Sequence, residues 1–582
     1  MQSFIVHHVN ESSILLLFGS SIDINIHQQL MHAKQWIEQH PFPGFIETVP
    51  AYNTLAIYYD PAAVMQTAAT IAASVEELVR SILADTDHTK EETAKHLIEI
   101  PVYYDEEVAP DLTATAHTLQ LSKDELIKLH CSKICHVFML GFTPGFPYMG
   151  KLDERLFTKR KQQPRLSVAP GSVAIAGEQT GIYPFATPGG WNIIGRTPLQ
   201  LFDRNNSNPF LLKAGDEVQF KSITKEEFEN FVTSETPLGR NSKNINIHPA
   251  KKAEDNQPII HIEQCGFLTT LQDTGRTGYL QFGVSKGGAM DNYAAQLANI
   301  LVANDANETV LELTQSPHRF LFKADAVVAF TGGSLQPETE QQLLPLHQPI
   351  FIAAGTVINC KQPLPGFRLY MAIAGGFVAD EFLQSCSTDL LVKAGGFNGR
   401  PLKKADILLQ KNKHSKLQQQ LLQVLKAGAA IELFQPDNSI TSNTIRVLKG
   451  AEWKYLTDES VTNFTQQTFT VTQQSNRMGY RLKTEALQTN QSCDIISSPV
   501  TQGTIQLTSS GEMIVLMADA QTVGGYPRIA QVCAADLSLL AQKKPGDAIQ
   551  FQIVSLQEAE ALYMKRAEEL KRVQDALASL VK

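Results

Sequence analysis

Short apolar runs broken by polar and glycine-containing turns set the rhythm of this chain, and their period changes along its length. In the first hundred or so residues Ile14–Phe18 reads as a strand and the stretch from about Ile26 to Gln39 as a helix. Phe45–Ala51 and Leu55–Tyr59 follow as strands, about Val75 to Ala84 as a second helix, and His96–Tyr103 as a β-rich run. This alternation predicts a small α+β sandwich of ferredoxin-like type over residues 1–95. From about 130 to 225 the texture becomes VAPGSVAIAGEQTGIYPFATPGGWNIIGRTPLQLF, short strands joined by tight turns, so residues 96–230 are expected to form a β-barrel or sandwich. Residues 235–257 are polar and lack an apolar period, which marks a linker. A second β-rich unit follows, divided into 258–430 and 431–555. In the tail 556–582, Ala559, Leu562, Met564, Leu570, Val573, Ala576 and Leu580 recur at helical spacing and predict an amphipathic helix. The fold class expected is mainly β with α+β.

Part of this pattern occurs twice. PGSVAIAGEQTGIYPFATPGGWNIIGRTP, at 170–198, parallels QGTIQLTSSGEMIVLMADAQTVGGYPRIAQV, at 502–532, with a shared Gly-Gly-aromatic step at Gly189-Gly190-Trp191 and Gly524-Gly525-Tyr526. Each copy is followed by a Gly-Asp-x-x-x-Phe strand, AGDEVQF at 214–220 and PGDAIQF at 545–551. The two halves are therefore expected to share a fold unit.

Composition narrows the function. At 582 residues the chain exceeds one hydrophobic core, and 43% apolar with 19% charged residues is ordinary globular material. A net charge of -9 argues against a nucleic-acid partner and for a small molecule. Seven cysteines, odd in number and mostly isolated, point to reduced thiols and a cytoplasmic setting. Asn10 and Glu11 precede the apolar run Ile14–Phe18 where a signal peptide carries basic residues, and no run approaches the roughly 18 apolar residues of a membrane span, so no membrane partner is expected.

Three motif-like clusters lose their sharp readings on chemical grounds. Gly145 to Leu152 imitates a phosphate-binding loop, yet Pro147 removes an amide donor, Leu152 offers no hydroxyl for magnesium, and Phe146 and Tyr148 crowd the turn. Gly141-Phe142-Thr143-Pro144-Gly145 imitates a nucleophile elbow, but Pro144 has no N–H for an oxyanion hole, so a glycine-proline loop lining a pocket is expected instead. His130, Cys131, Cys135 and His136 gather on one face in neither a helix nor a strand, which argues against zinc. More weight falls on RTGYLQFGVSKGGAMD (276–291), SNRMGYRL (475–482) and DAQTVGGYPR (519–528), where carboxylates and arginines adjoin glycine-permitted bends. There Arg477, Arg481 and Arg528 are candidate bidentate clamps for an anion, and Asp291 and Asp519 candidate bases or metal–nucleotide ligands; for each alone, an ion pair is the plainer role.

Taken together, these strings resemble a known pair of families. HVFMLGFTPGFPYMGKLDERL with PRLSVAPGSVAIAGEQTGIYPFATPGGWNIIGRTP resembles the B component of 5-oxoprolinase, the KipI or first allophanate-hydrolase-type family. LQDTGRTGYLQFGVSKGGAMDNYAAQLANIL, SNRMGYRL and GTIQLTSSGEMIVLMADAQTVGGYPRIAQV resemble the C component, the KipA family, so the order is that of a B–C fusion. The resemblance implies cyclophilin-like β-barrels. In the B half it implies a pocket at Phe142, Pro144, Gly145, Phe146, Tyr148, Arg165, Pro170, Gly171, Ser172, Gly189, Gly190, Trp191 and Arg196. In the C half it implies Asp273, Arg276, Gly287, Gly288, Met290, Asp291, Arg477, Met478, Gly479, Gln502, Gln506, Asp519, Gln521, Thr522, Gly525 and Tyr526. Asp291, Asp519 and Arg477 are the catalytic candidates among them, with arginines binding the substrate carboxylate and phosphates and an aspartate handling Mg2+; no protein metal-ligand set is nominated. The activity implied is ATP-dependent activation of the lactam of 5-oxoproline, for ring opening to glutamate with the separate A component of 5-oxoprolinase as partner. Two alternatives remain at this point: a carboxyltransferase-like part of a biotin-dependent urea carboxylase system, although no Ala-Met-Lys-Met site or ATP-grasp segment is present, and a non-catalytic regulator of a histidine kinase. Homo-oligomerisation is left open.

Overall fold

A computed structural model describes residues 4–580 except 85–96, 207, 234–255, 412–413, 435–440 and 492–494. The expected linker at 235–257 therefore lies almost wholly outside the described residues.

The N-terminal unit is a four-stranded antiparallel sheet in the spatial order Ile5–Asn10, Ser13–Leu17, Thr54–Tyr59, Phe45–Pro50, with the helices Ile24–Gln39 and Ile71–Ala84. Ile14, Leu16, Leu55, Ile57 and Tyr59 pack with Leu30, Ile37, Val75 and Val79 of the helices into one core. The element order is ββαββα, not the βαββαβ of a ferredoxin-like unit, because Ile5–Asn10 and Ser13–Leu17 form a tight hairpin where a ferredoxin-like chain crosses over through a helix. The opening strand IVHHVN is half exposed and carries two histidines, so it showed little apolar run to read. The second helix starts before the expected Val75 because Glu560, far along the chain, accepts the amides of Ile71 and Ala72 at 2.8 and 2.9 Å and so caps its first turn.

Two closed seven-stranded barrels follow, one in each half. Around the first the order is Leu97–Tyr103, Asn192–Arg196, Ser172–Ala176, Gln179–Ile182, Pro147–Gly150, Ile134–Leu140, Glu217–Ile223. Around the second it is Thr444–Lys449, Arg528–Val532, Thr504–Leu507, Met513–Leu516, Gly479–Lys483, Phe469–Val471, Ala548–Ile553. Taken strand by strand in chain order, the two circuits are the same, and each closes through a parallel pairing of its first and last strands. The repeat seen in the sequence is thus a repeat of the barrel. Its turns match in detail: Gly215 and Gly546, both at positive φ, donate to Val137 O and Val471 O at 2.8 Å, and Asp216 and Asp547 accept from Lys213 N and Lys544 N at 2.9 Å.

Between the barrels, residues 257–410 form two five-stranded antiparallel sheets, not a further barrel, packed around Ile260, Leu311, Phe320, Phe330 and Met371. The tail is the expected helix, Leu556–Leu580. It crosses both halves: Glu560 and Tyr563 bond to the N-terminal unit, while Val573 and Leu577 enter the core beside the helix Asn292–Leu301. Among the described residues no helix is long and apolar enough to cross a membrane.

Candidate functional site

A cavity of about 460 Å3 lies where the N-terminal sheet, the loop after Gln272, the second barrel and the terminal helix meet. The sheet contributes Asn10, Glu47 and Tyr58; the loop contributes Arg276, Lys286 and Met290; the barrel contributes Gln502, Gln521 and Thr522; the helix contributes Tyr563 and Arg566.

The loop is held from both sides. Arg276 N donates to Lys286 O at 2.7 Å and Gly287 N donates to Ala518 O at 3.0 Å, tying the bend to the second barrel. Gly287 sits at φ +64, and a Cβ there would lie 2.9 Å from Arg276 Nη1; at Gly288, φ +85, it would lie 2.7 Å from Gly275 N, so neither position admits a side chain without displacement. Asp273 anchors the loop's start by accepting from Gly275 N, Ser385 Oγ, Ser387 Oγ and Cys386 N.

Arg276 runs beneath the bend. Its side chain is 1% exposed, its Nε donates to Phe382 O at 3.2 Å and its Nη2 to Ser387 O, while Nη1 has no hydrogen-bond partner among the described residues and lies 3.9 Å from Asp389. Burial lowers the guanidinium's pKa and raises that of Asp389. On the barrel wall, Gln506 Nε2 and Thr522 Oγ1 are likewise buried and unpartnered.

Arg477 does not reach the cavity with free donors. Its Nε and Nη2 grip Asp519 at 2.7 and 2.9 Å, Nη1 donates to Glu312 at 2.6 Å, and Nη2 also donates to Gly288 O at 2.6 Å. Burial works to lower its pKa, yet Asp519 and Glu312 prevail and hold it above the usual arginine value. The sequence reading of Arg477 as a substrate clamp is corrected to a tie joining the second barrel, the central sheets and the Gly287–Gly288 bend. Asp291 is corrected likewise: Oδ1 accepts from Ala294 N at 3.0 Å as the cap of helix Asn292–Leu301, Oδ2 accepts from Gln542 Nε2 at 2.8 Å, and burial raises its pKa. Asp519 keeps a partly open carboxylate, 23% exposed.

Arg276, Met290, Gln502, Gln521 and Thr522 are thus brought together, with Gly288, Gln506 and Asp519 beside them. Met478 and Tyr526 lie near half exposed on the surface, Gly525 packs against Ser497 Oγ, Arg481 is an exposed position on its strand, and Arg528 pairs with Glu452 at 2.7 Å. The B-half positions form a separate group. Phe142, Phe146, Tyr148, Tyr183 and Trp191 stack edge to face with ring centroids 4.9 to 6.5 Å apart. Arg165 pairs with Asp111 at 2.7 Å, Arg196 Nε donates to Pro170 O at 2.9 Å, Ser172 is buried, and Gly190 O accepts from Lys161 N at 2.8 Å. The Pro144–Gly145 loop meets the other half rather than a pocket: Gly145 N donates to Phe282 O at 2.8 Å, and Gly141 abuts Val523. Pro147–Gly150 is a barrel strand, not the loop that a phosphate cradle requires. His130 bonds to Tyr104 and Thr180, and His136 to His27, so the four possible zinc ligands do not converge.

Comparison with known proteins fits this two-part layout. A model of "Carboxyltransferase domain, subdomain C and D" matches residues 4–212, and one of "Carboxyltransferase domain, subdomain A and B" matches 282–553. The chain is 38% identical over 234 residues to the 5-oxoprolinase B component of Bacillus subtilis, covering 95% of that protein and 39% of this one. It is 36% identical over 321 residues to the 5-oxoprolinase C component of Escherichia coli, covering 98% of that protein and 55% of this one. The chain belongs to the family of 5-oxoprolinase B and C components, with the two fused. The crystal structure of TTHA0988 superposes with a TM-score of 0.77 at 29% identity over 94% of this chain and all of that one, so the fused architecture is shared. The cavity is mostly a feature of the C-type half, completed by the sheet of the B-type half.

Glu47, Tyr58, Lys286 and Arg566 were missed in the sequence. Glu47 left a signal, a carboxylate inside the strand FIETVP that the fold buries to 5% exposure. Lys286 stood unremarked within the SKGG bend, and Arg566 is one of several charges on a helix with no mark to separate it.

Proposed function

We propose that this chain carries out the lactam-activating part of ATP-dependent 5-oxoproline hydrolysis, in the cytoplasm, together with a separate A component that completes ring opening to L-glutamate. The observation that carries the reading is that one polypeptide spans nearly the full length of both a B component and a C component. ATP supplies a phosphoryl group to the lactam oxygen, making the ring carbon electrophilic and coupling an uphill hydrolysis to nucleotide cleavage. Water then adds at that carbon and the C–N bond breaks, with a proton passing to the leaving amine. A second water cleaves the resulting acyl phosphate to glutamate and phosphate; these later steps fall to the A component.

In this chain Arg276, Gln521 and Thr522 on the cavity wall, with Gln506 behind Gln521, are the donors for the charge that develops on the phosphorylated oxygen. Magnesium bound with a nucleotide takes one or two carboxylates beside the phosphates; Asp519, 23% exposed although each of its oxygens accepts from Arg477, is better placed for that role than Asp291, which is buried with both oxygens occupied. Assay of the purified chain with ATP and 5-oxoproline, with and without the A component, tests the reading. Glutamate and ADP are expected together only when the A component is present; abundant glutamate from the chain alone, or no lactam-dependent ATP turnover with the A component added, overturns it. Carboxyl transfer is the second reading, favoured by the description of both family models, and turnover of a carboxylated biotin carrier in place of ATP would select it.

A further inference from the structure

The cavity holds a cation that the reading above leaves unused. Lys286 lines it from the Gly287–Gly288 bend as an exposed side chain, and among the described residues no hydrogen bond or ion pair engages its ammonium. Its backbone is fixed on both sides, through Lys286 O to Arg276 N and through Gly287 N to Ala518 O, so the origin of the side chain is not free to wander.

The charged groups on the cavity wall are Glu47, Asp60, Arg276, Arg566 and Lys286, and Asp60 already accepts from Ala62 N and Tyr563 OH at 3.0 and 3.2 Å. Glu47 already accepts from Gly278 N and Leu280 N at 2.9 and 3.0 Å, and those bonds hold the neighbouring loop onto the N-terminal sheet. Burial raises its pKa against the pull of Lys286, and desolvation lowers that of Lys286 against the pull of Glu47. Arg276 spends its other donors on Phe382 O and Ser387 O with Asp389 nearby, and Arg566 stacks 4.3 Å over the Tyr293 ring. Lys286 is therefore the side chain that gains most from an incoming anion. One flexible ammonium with a carboxylate opposite suits a monoanion better than a polyphosphate, which needs several cations or a bidentate fork.

Resting on the function proposed above, we infer that Lys286 is the specificity residue that anchors the ring carboxylate of the lactam substrate. The site then selects a lactam bearing a carboxylate over a plain lactam, with the reacting amide directed toward the donors of the second barrel. The carboxylate contact is made equally before and during phosphoryl transfer, so it acts on KM more than on kcat.

The test compares Lys286→Met with the parent chain, each with the A component in excess, using 5-oxoproline and 2-pyrrolidinone, the same ring without the carboxylate. A charge-assisted contact of ordinary strength corresponds to a rise in KM for 5-oxoproline of about 10- to 100-fold. The KM for ATP should stay the same and turnover of 2-pyrrolidinone should fall no further. Unchanged KM for 5-oxoproline overturns the assignment, and so does an equal loss with both lactams, which would place Lys286 at the transferring phosphoryl group. Lys286→Arg controls for folding: partial recovery of KM supports a charge contact, and a loss as deep as that of the methionine variant at unchanged melting temperature counts against it. A parent chain that turns over no lactam at all overturns the functional reading and the assignment together, whereas an active parent with an indifferent methionine variant overturns the assignment alone.

Discussion

The strand Ser172–Ala176 of the first barrel and Thr504–Leu507 of the second occupy the same place in the same circuit, each following a glycine at positive φ, Gly171 and Gly503. At the matching position one carries Ala174 and the other Gln506. Ala174 lies among Phe146, Tyr183 and Trp191, which fill the mouth of the first barrel with rings. Gln506 stands beside Gln521, with a buried nitrogen that nothing among the described residues satisfies. At the Gly-Gly-aromatic step, Trp191 is buried to 5% exposure and Tyr526 is left at 45%. One barrel has closed its mouth with apolar packing and the other has kept a polar wall facing a cavity. The matching threonines Thr187 and Thr522 both keep a buried hydroxyl with no partner among the described residues, so what sets the second barrel apart is the glutamine group Gln502, Gln506 and Gln521 at or beside the cavity.

The largest effect expected is at the tie beneath the polar barrel. Arg477→Ala leaves the buried Glu312 and the partly buried Asp519 without their shared partner and should cost about 3–5 kcal/mol, seen as a lower first transition in thermal or urea unfolding. A shift under about 1 kcal/mol would return Arg477 to the candidates for substrate contact. On the closed side, Trp191→Ala opens a void among rings and should cost about 3 kcal/mol, whereas Tyr526→Ala should stay within about 0.5 kcal/mol. Equal costs would mean that the two mouths are packed alike.

Acidity should separate the two contacts the N-terminal sheet makes with the barrels. Against the first barrel, burial lowers the pKa of His27 to about 3 where its ring meets His136, so stability from this contact is present above the unfolded value of 6.5 and lost as pH falls from there toward 3. Against the second, burial raises the pKa of Glu11 to about 7 where it accepts from Ala534 N, so stability is present below 4.5 and lost as pH rises through 7. Glu11→Gln should therefore stabilise the protein at pH 8, by on the order of 2–3 kcal/mol, and change little at pH 4. Melting curves across that range check both signs. The smallest effect on folding is expected at the decisive position itself: Gln506→Leu should move stability by about 1 kcal/mol or less, since its Nε2 gives up no bond, while lowering lactam-dependent ATP turnover about tenfold or more. Loss of stability without loss of turnover would make Gln506 a packing residue like Ala174.

The barrel repeat was legible because its signals are local: the Gly-Gly-aromatic step, the Gly-Asp turn and the short apolar strands all fall within a few residues of one another. The cluster Arg276, Gln502, Gln521 and Thr522 was legible through the same glycine-rich strings. What escaped depends on distant partners. The fate of Arg477 is decided by Glu312, in another unit, and the start of the helix at Ile71 by Glu560 near the other end of the chain. Asp291 looks like an available carboxylate until Gln542 is placed beside it. The order of elements departs from the ferredoxin-like expectation for a related reason, since the strand beside Ser13–Leu17 comes from before it in the chain, through the hairpin at Glu11–Ser12.

The terminal helix has a consequence for mass action. It fastens to the helix Ile71–Ala84 of the N-terminal unit through Glu560 and to the C-type half through Val573 and Leu577, and the cavity takes Glu47 from one half and Lys286 from the other. Two freely diffusing proteins would build such a wall only in proportion to their encounter, whereas two joined in one chain meet at an effective concentration of roughly millimolar whatever their abundance. The specific activity of the fused protein should accordingly be insensitive to dilution of this chain, with any remaining concentration dependence belonging to the separate A component.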